Sequence, residues 1–201
     1  FVWEGRLTEA MACYDRALEL APNDAETHKN RGVILLLLGR FDEGWPEYAW
    51  RWKTEDLSRP PYSQPLWDGS PLDGKTILLT PEQGLGDTIH FIRYAAVLKE
   101  KYNCRVVVLC PKPLLRLLAR CPGIDLLVPQ DQPPPEFDCY APLVDIPGIL
   151  RGKIAEQHLK VRTTVPENQG PEGREGDDQQ GGQGQQTSPG YRLDQLSGLF
   201  D

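Results

Sequence analysis

In the stretch "LTEAMACYDRALEL" the apolar positions are Leu7, Ala10, Met11, Tyr14, Ala17 and Leu18, with mostly polar residues between them. Steps of three and four residues are the period of an α-helix with one buried face. Pro22 stops this helix and "PND" supplies a turn. The pattern predicts a second helix from about Asp24 to Leu38, with Gly39 as its left-handed C-terminal residue. A third begins near Asp42 and carries Pro46 in or just after its first turn, where a missing N–H costs least. Beyond residue 75 the period changes. "KTILLT", "CRVVVLC" and "IDLLVP" are short, unbroken apolar runs, as expected of strands buried on both faces, and "FDCYAPL" is a candidate fourth. Between them lie two helical stretches. One runs from Asp87 to about Lys101 with Ile89, Ile92, Ala96 and Leu98 on its buried side; the other is "PLLRLLARC". Strands and helices that alternate with short connections specify a parallel sheet flanked by helices.

Four regions follow: helices over 1–53, a linker over 54–74, a sheet domain over 75–160 and a tail over 161–201. The linker carries four prolines and no periodicity, but Leu66, Trp67 and Leu72 are available to anchor it. Residues 166–190 contain no aliphatic or aromatic side chain. Ordering them would cost roughly 25–50 kcal/mol of backbone entropy, with no apolar area to offset it, so disorder is expected there.

The helical region repeats itself. "GRLTEAMACYDRALELAP" and "GRFDEGWPEYAWRW" align from their Gly-Arg pairs, placing Leu7 with Phe41, Ala10 with Gly44 and Tyr14 with Tyr48. Gly32 stands where paired helices touch closely, and Pro22 closes the first unit. The stretch resembles the tetratricopeptide repeat (TPR) family, departing from it at Arg31 and Gly44. That resemblance implies a protein or peptide partner for these helices. Repeat arrays need about three units to bury a continuous core, so either further repeats precede these helices or they dock on the sheet domain, and "GWPEYAWRW" favours docking. Trp45, Tyr48, Trp50 and Trp52 are too many aromatics for one helix face, and Trp50 or Trp52 is expected to make that contact.

Composition narrows the function classes. The 201 residues carry 22 Lys and Arg against 29 Asp and Glu, a formal net charge of -7. That balance argues against nucleic-acid binding, which rewards clustered cations. The longest apolar run, Val33 to Leu38, is far short of the roughly 20 residues of a membrane span. Five cysteines (Cys13, Cys104, Cys110, Cys121 and Cys139) without a C-x-x-C pair read as reduced thiols of a cytoplasmic protein. His28, His90 and His158 are far apart, and no metal site is expected. The chain begins with Phe1, and the natural protein is expected to continue upstream.

The first strand leads into "EQGLGDTIHFIRYA". A dinucleotide fingerprint would need a third glycine where Ile89 stands, and no Gly-Lys-Ser/Thr follows. A bound phosphate would also face the charge of Asp87. As structure, Asp87 reads as an N-cap accepting from the N–H of Ile89 or His90, with Gly84 and Gly86 permitting the turn. As chemistry, the turn lies beyond the carboxyl end of a parallel strand, where open sheets bind ligands. A carboxylate there can take a proton from an attacking hydroxyl.

The stretch from "LWDGSPLDGKTILLT" through "PEQGLGDTIHFIRYA" to "ARCPGID" resembles the first half of the glycosyltransferases related to the bacterial heptosyltransferases, especially those preceded by tetratricopeptide repeats. The resemblance implies an α plus α/β chain in which TPR helical hairpins precede a Rossmann-like parallel sheet, half of a GT-B fold. It implies that Asp87 is the catalytic base of an inverting sugar transfer to a sugar or protein acceptor, with Gln83, Gly84 and Gly86 on the acceptor side. The complete enzyme would use a nucleotide-sugar donor; this chain would hold no cofactor. The donor half of the family does not follow here. The reading frame is expected to be lost near Val165 and regained near Tyr191, leaving a fragment inactive alone. The alternative is a TPR protein-interaction module without catalysis.

Overall fold

A computed structural model describes residues 5–82 and 84–152. The tail expected over 161–201 and Gln83 lie outside the described residues. The helices and the sheet belong to one compact unit.

Helix α1 (Leu7–Leu20) is followed by α2 (Ala25–Leu37) and α3 (Phe41–Tyr48), which tightens into a 3-10 turn over Ala49–Lys53. The Asp24 side chain caps α2 by accepting from the Thr27 N–H at 2.9 Å. Gly39 ends the α2 hairpin at φ +73°, a conformation that strains any side chain. Ala10, Met11, Ile34 and Leu35 form a small core between α1 and α2. The α2–α3 contact depends on two glycines. A Cβ on Gly32 would lie 2.4 Å from the Tyr48 backbone nitrogen, and one on Gly44 would lie 2.8 Å from a Leu36 methyl. Arg31, polar where the repeat family prefers an apolar residue, pairs with Asp15 of α1 at 2.7 Å and Glu47 of α3 at 3.2 Å. It therefore ties the three helices at their rim.

The sheet contains β1 (Thr76–Thr80), β2 (Arg105–Cys110), β3 (Leu126–Pro129) and β4 (Cys139–Pro142). All pairings are parallel, in the order β3-β2-β1-β4, with Leu78 opposite Val107 on one side and Tyr140 on the other. This is the Rossmann-like arrangement that the alternating pattern predicts. Ile77, Leu79, Val106 and Val108 pack on one face with Ile92, Ala95, Leu98, Leu118 and Ile146. Leu78, Val107, Leu109, Val128 and Tyr140 form the other face, joined by Tyr62, Leu66 and Phe137. The linker thus supplies core residues. Its backbone also pairs with β4, since the Trp67 N–H donates to the Tyr140 carbonyl at 2.8 Å and the Tyr140 N–H to that of Pro65 at 3.1 Å.

One helical expectation is corrected. The stretch after β1 is two helices, α4 (Leu85–Phe91) and α5 (Tyr94–Tyr102), separated by a turn at Ile92 and Arg93. Ile92 and Leu98 are buried as expected, but Ile89 is 48% exposed. Helix α4 sits beyond the strand ends and buries only Thr88, so the apolar period of α5 does not extend into it. Helix α6 (Leu115–Leu118) is a single turn after a 3-10 start at Lys112–Leu114. Helix α7 begins at Ile146, after a 3-10 turn over Leu143–Asp145, and is described to residue 152. No helix among the described residues is long and apolar enough to cross a membrane.

Candidate functional site

The strand order sets what stands beside the β1 turn. The chain steps from β1 to β2 to β3 in one direction, then returns to place β4 on the other side of β1. Loops leaving β1 and β4 therefore emerge side by side from neighbouring strands, their helices on the same face of the sheet, at the carboxyl ends where open parallel sheets bind ligands. Four described groups converge there: Thr80 at the end of β1, Glu82 just beyond it, Asp145 after β4, and Arg51 from the helical segment.

Arg51 is the centre of this cluster. Its Nε and Nη2 donate to the two oxygens of Glu82 at 2.6 and 2.7 Å. Nη2 also donates to Asp145 at 2.5 Å, and Nη1 to the Tyr48 carbonyl at 3.3 Å. The guanidinium lies 4.5 Å from the centre of the Tyr48 ring and 4.7 Å from that of Trp52, within cation–π range. The side chains of Arg51 and Glu82 are 2% and 1% exposed. Burial opposes the positive charge of Arg51, but hydrogen bonds and charge from Glu82 and Asp145 outweigh it, so the guanidinium stays protonated. Trp52 adds its indole N–H to Asp145 at 3.2 Å, the contact expected of Trp50 or Trp52. Trp50 instead stacks on His28, with ring centres 3.8 Å apart. Farther along the same seam Trp45 packs against Gly148, and Arg151 pairs with Asp42 at 2.6 Å. Sequence reasoning passed over Arg51. The available signal was a cation set between two tryptophans, since a charge among buried aromatics requires a partner.

The turn itself differs in detail from its sequence reading. Helix α4 starts at Leu85, so Gly84 is the N-cap and Asp87 is the third helical residue. The Asp87 carboxylate does not accept from Ile89 or His90; Oδ2 accepts from the Gly84 N–H at 3.1 Å, the return half of a capping box. The helix begins earlier because Gly84, at φ -79° and ψ 170°, already has the extended geometry of a cap. Neither Gly84 nor Gly86 has a positive φ, so turn conformation does not explain glycine at either position. A Cβ on Gly86 would meet nothing within 4 Å. These glycines leave room above the turn. Asp87 is partly exposed, and among the described residues its second oxygen has no hydrogen bond. His90 is exposed on α4, with a ring nitrogen 3.1 Å from Arg93.

Thr80 is buried, and among the described residues its hydroxyl finds no hydrogen-bond partner. Elsewhere, a concavity of about 380 Å³ lies at the ends of β2 and β3, lined by Pro111, Lys112, Pro113, Gln130 and Asp131. It contains none of the candidate residues. No three His, Cys, Asp or Glu side chains gather to hold a metal among the described residues.

Comparison with known proteins gives two likenesses. Residues 1–39 match the family model described as TPR repeat. A stretch of 92 residues is 37% identical to Protein FlbA of Caulobacter vibrioides, covering 43% of this chain and 15% of that protein. The chain therefore spans a small part of that relative's length. No solved structure matches the chain. Neither description names a sugar transferase, so the chemistry of the sheet rests on its own geometry.

Proposed function

We propose that this chain joins a protein-binding helical repeat to the acceptor-side half of a sugar-transferring enzyme. The observation that carries the reading is the placement of Asp87. Its carboxylate is partly exposed just beyond the carboxyl end of β1, steered by the Gly84 N–H and overlooked by a turn without side-chain bulk at Gly84 and Gly86. In this position Asp87 takes the proton of an acceptor hydroxyl as its oxygen attacks the anomeric carbon of a nucleotide sugar. The bond to the phosphate breaks, the nucleoside diphosphate leaves with the electron pair, and a single displacement inverts the anomeric centre. Gln83, Gly84 and Gly86 flank the acceptor. General-base help of this kind is worth about 10²–10⁴ in rate.

A nucleotide-sugar donor calls for a second half-domain, as the resemblance implies, and the 201-residue chain alone is expected to transfer no sugar. The test uses the full product of the encoding gene, assaying nucleoside diphosphate release from a panel of nucleotide sugars with cell-extract acceptors. Asp87→Asn should abolish release that the parent protein shows. Full release by that variant would refute the base role.

The match of residues 1–39 to the TPR repeat model favours a second reading, a protein-interaction module without catalysis. It is distinguished by a parent protein that releases no nucleoside diphosphate yet captures a partner through α1 to α3.

A further inference from the structure

We infer that Arg51 makes the helical segment the positioning element of the β1–α4 turn, so that helices preceding the sheet set where Asp87 stands. Helix α4, into which the turn leads, lies against the turn Leu143–Asp145 after β4. Four residues, 81–84, link Thr80 to Leu85, and α4 buries only Thr88 while leaving Leu85 and Ile89 45% and 48% exposed. Within the turn, Glu82 is gripped at both carboxylate oxygens. A planar guanidinium bonded twice to a carboxylate fixes its orientation as well as its distance, which a lysine ammonium cannot do. The additional bond to Asp145 references the same guanidinium to the end of β4, so the turn is held relative to the neighbouring strand. Tyr48 and Trp52, both from the helical segment, close over the guanidinium.

Arg51 does not reach the reacting atoms of the proposed transfer and acts through Glu82. The inference takes its functional meaning from the proposed role of Asp87. Its test reads the turn itself, so its failure is separate from a failure of that role.

Amide hydrogen exchange is followed in the 201-residue chain at Gly84 and Thr88, with Val106–Cys110 of β2 as reference. Arg51→Lys keeps the charge and loses the fork. It should speed exchange in the turn by about tenfold or more while β2 changes by less than about twofold, the mark of local rather than global opening. In Arg51→Ala, methylguanidinium should restore protection of the turn, and methylammonium of equal charge should not. Should Arg51→Ala fail to fold, Glu82→Gln, which keeps the Asp145 contact, gives the same result with a smaller rise. Unchanged turn amides in both Arg51→Lys and Glu82→Gln would overturn the inference. Equal acceleration of turn and β2, or equal rescue by the two cations, would do the same.

Discussion

The guanidinium of Arg51 and the carboxylate of Glu82, 31 residues apart in the chain, meet through two hydrogen bonds of 2.6 and 2.7 Å. Both side chains are almost wholly out of water. Removing one partner of such a pair leaves an uncompensated buried charge. Arg51→Ala should therefore cost about 3–5 kcal/mol in urea unfolding, because Glu82 and Asp145 lose their counter-charge together. The triple change Arg51→Met, Glu82→Gln, Asp145→Asn should cost less than the single one, since no buried charge remains. A larger loss in the triple variant would contradict this account.

Two glycines should behave oppositely. Gly32→Ala places a methyl against the backbone of Tyr48, which cannot move without separating α2 from α3. A loss of about 1–3 kcal/mol or more is expected from overpacking. Gly86→Ala meets open space within α4, so it should stabilise the protein by about 0.4–1 kcal/mol through the unfolded chain. If that space receives the acceptor, Gly86→Ala should raise KM in the full gene product without lowering its urea midpoint.

Asp87 separates stability from chemistry. Asparagine can accept from the Gly84 N–H as aspartate does, so Asp87→Asn should alter unfolding by only a few tenths of a kcal/mol, whereas Asp87→Ala should lose about 1 kcal/mol with the cap bond. Equal stability of the asparagine variant and its parent is the control that lets any lost activity be assigned to the missing base.

Acid stability should depend in part on Asp125. Burial pushes its carboxyl up, but the Lys99 and Val106 N–H bonds and the Lys99 charge together hold it below the ordinary carboxylate range. Its stabilising contribution is complete above the unfolded value of about 3.9 and fades as pH falls through the lower folded value. The stability gap between the parent and Asp125→Asn should be widest near neutrality and shrink below about pH 4. A gap that stays constant to pH 2 would exclude the linkage.

The cysteines should differ in reactivity. Burial, helped by the charge of Asp138, pushes the Cys139 thiol up to about 11. Cys104 and Cys110 are also buried, and burial raises both. Only the thiolate attacks alkylating agents. At pH 8 iodoacetamide should label exposed Cys13 first, and Cys139 only after denaturant is added. Early labelling of Cys139 would show that its strand opens in the native protein.

Much of the fold is legible in the sequence. The helical period of α1, the Asp24 and Gly39 boundaries of α2, the close approach at Gly32 and the four strands all follow from residue types a few positions apart. The position of Asp87 beyond β1 is legible for the same reason, because a strand followed by a glycine-rich turn and a helix is a local statement. The local pattern puts the helix cap three residues late, at Asp87 instead of Gly84, since several residues of a Gly-rich stretch can start a helix and packing selects among them.

The sequence by itself determined which segments are helix or strand and which side of α1 seeks the core, because unbroken apolar runs and 3.6-residue spacing are local patterns. Only the tertiary structure decided that Arg51 meets Glu82 and Asp145, that Trp52 rather than Trp50 reaches the sheet, and that β1 lies between β2 and β4. A buried charge requires a partner but does not name one. The choice is made when segments distant in the chain are packed side by side and desolvated together.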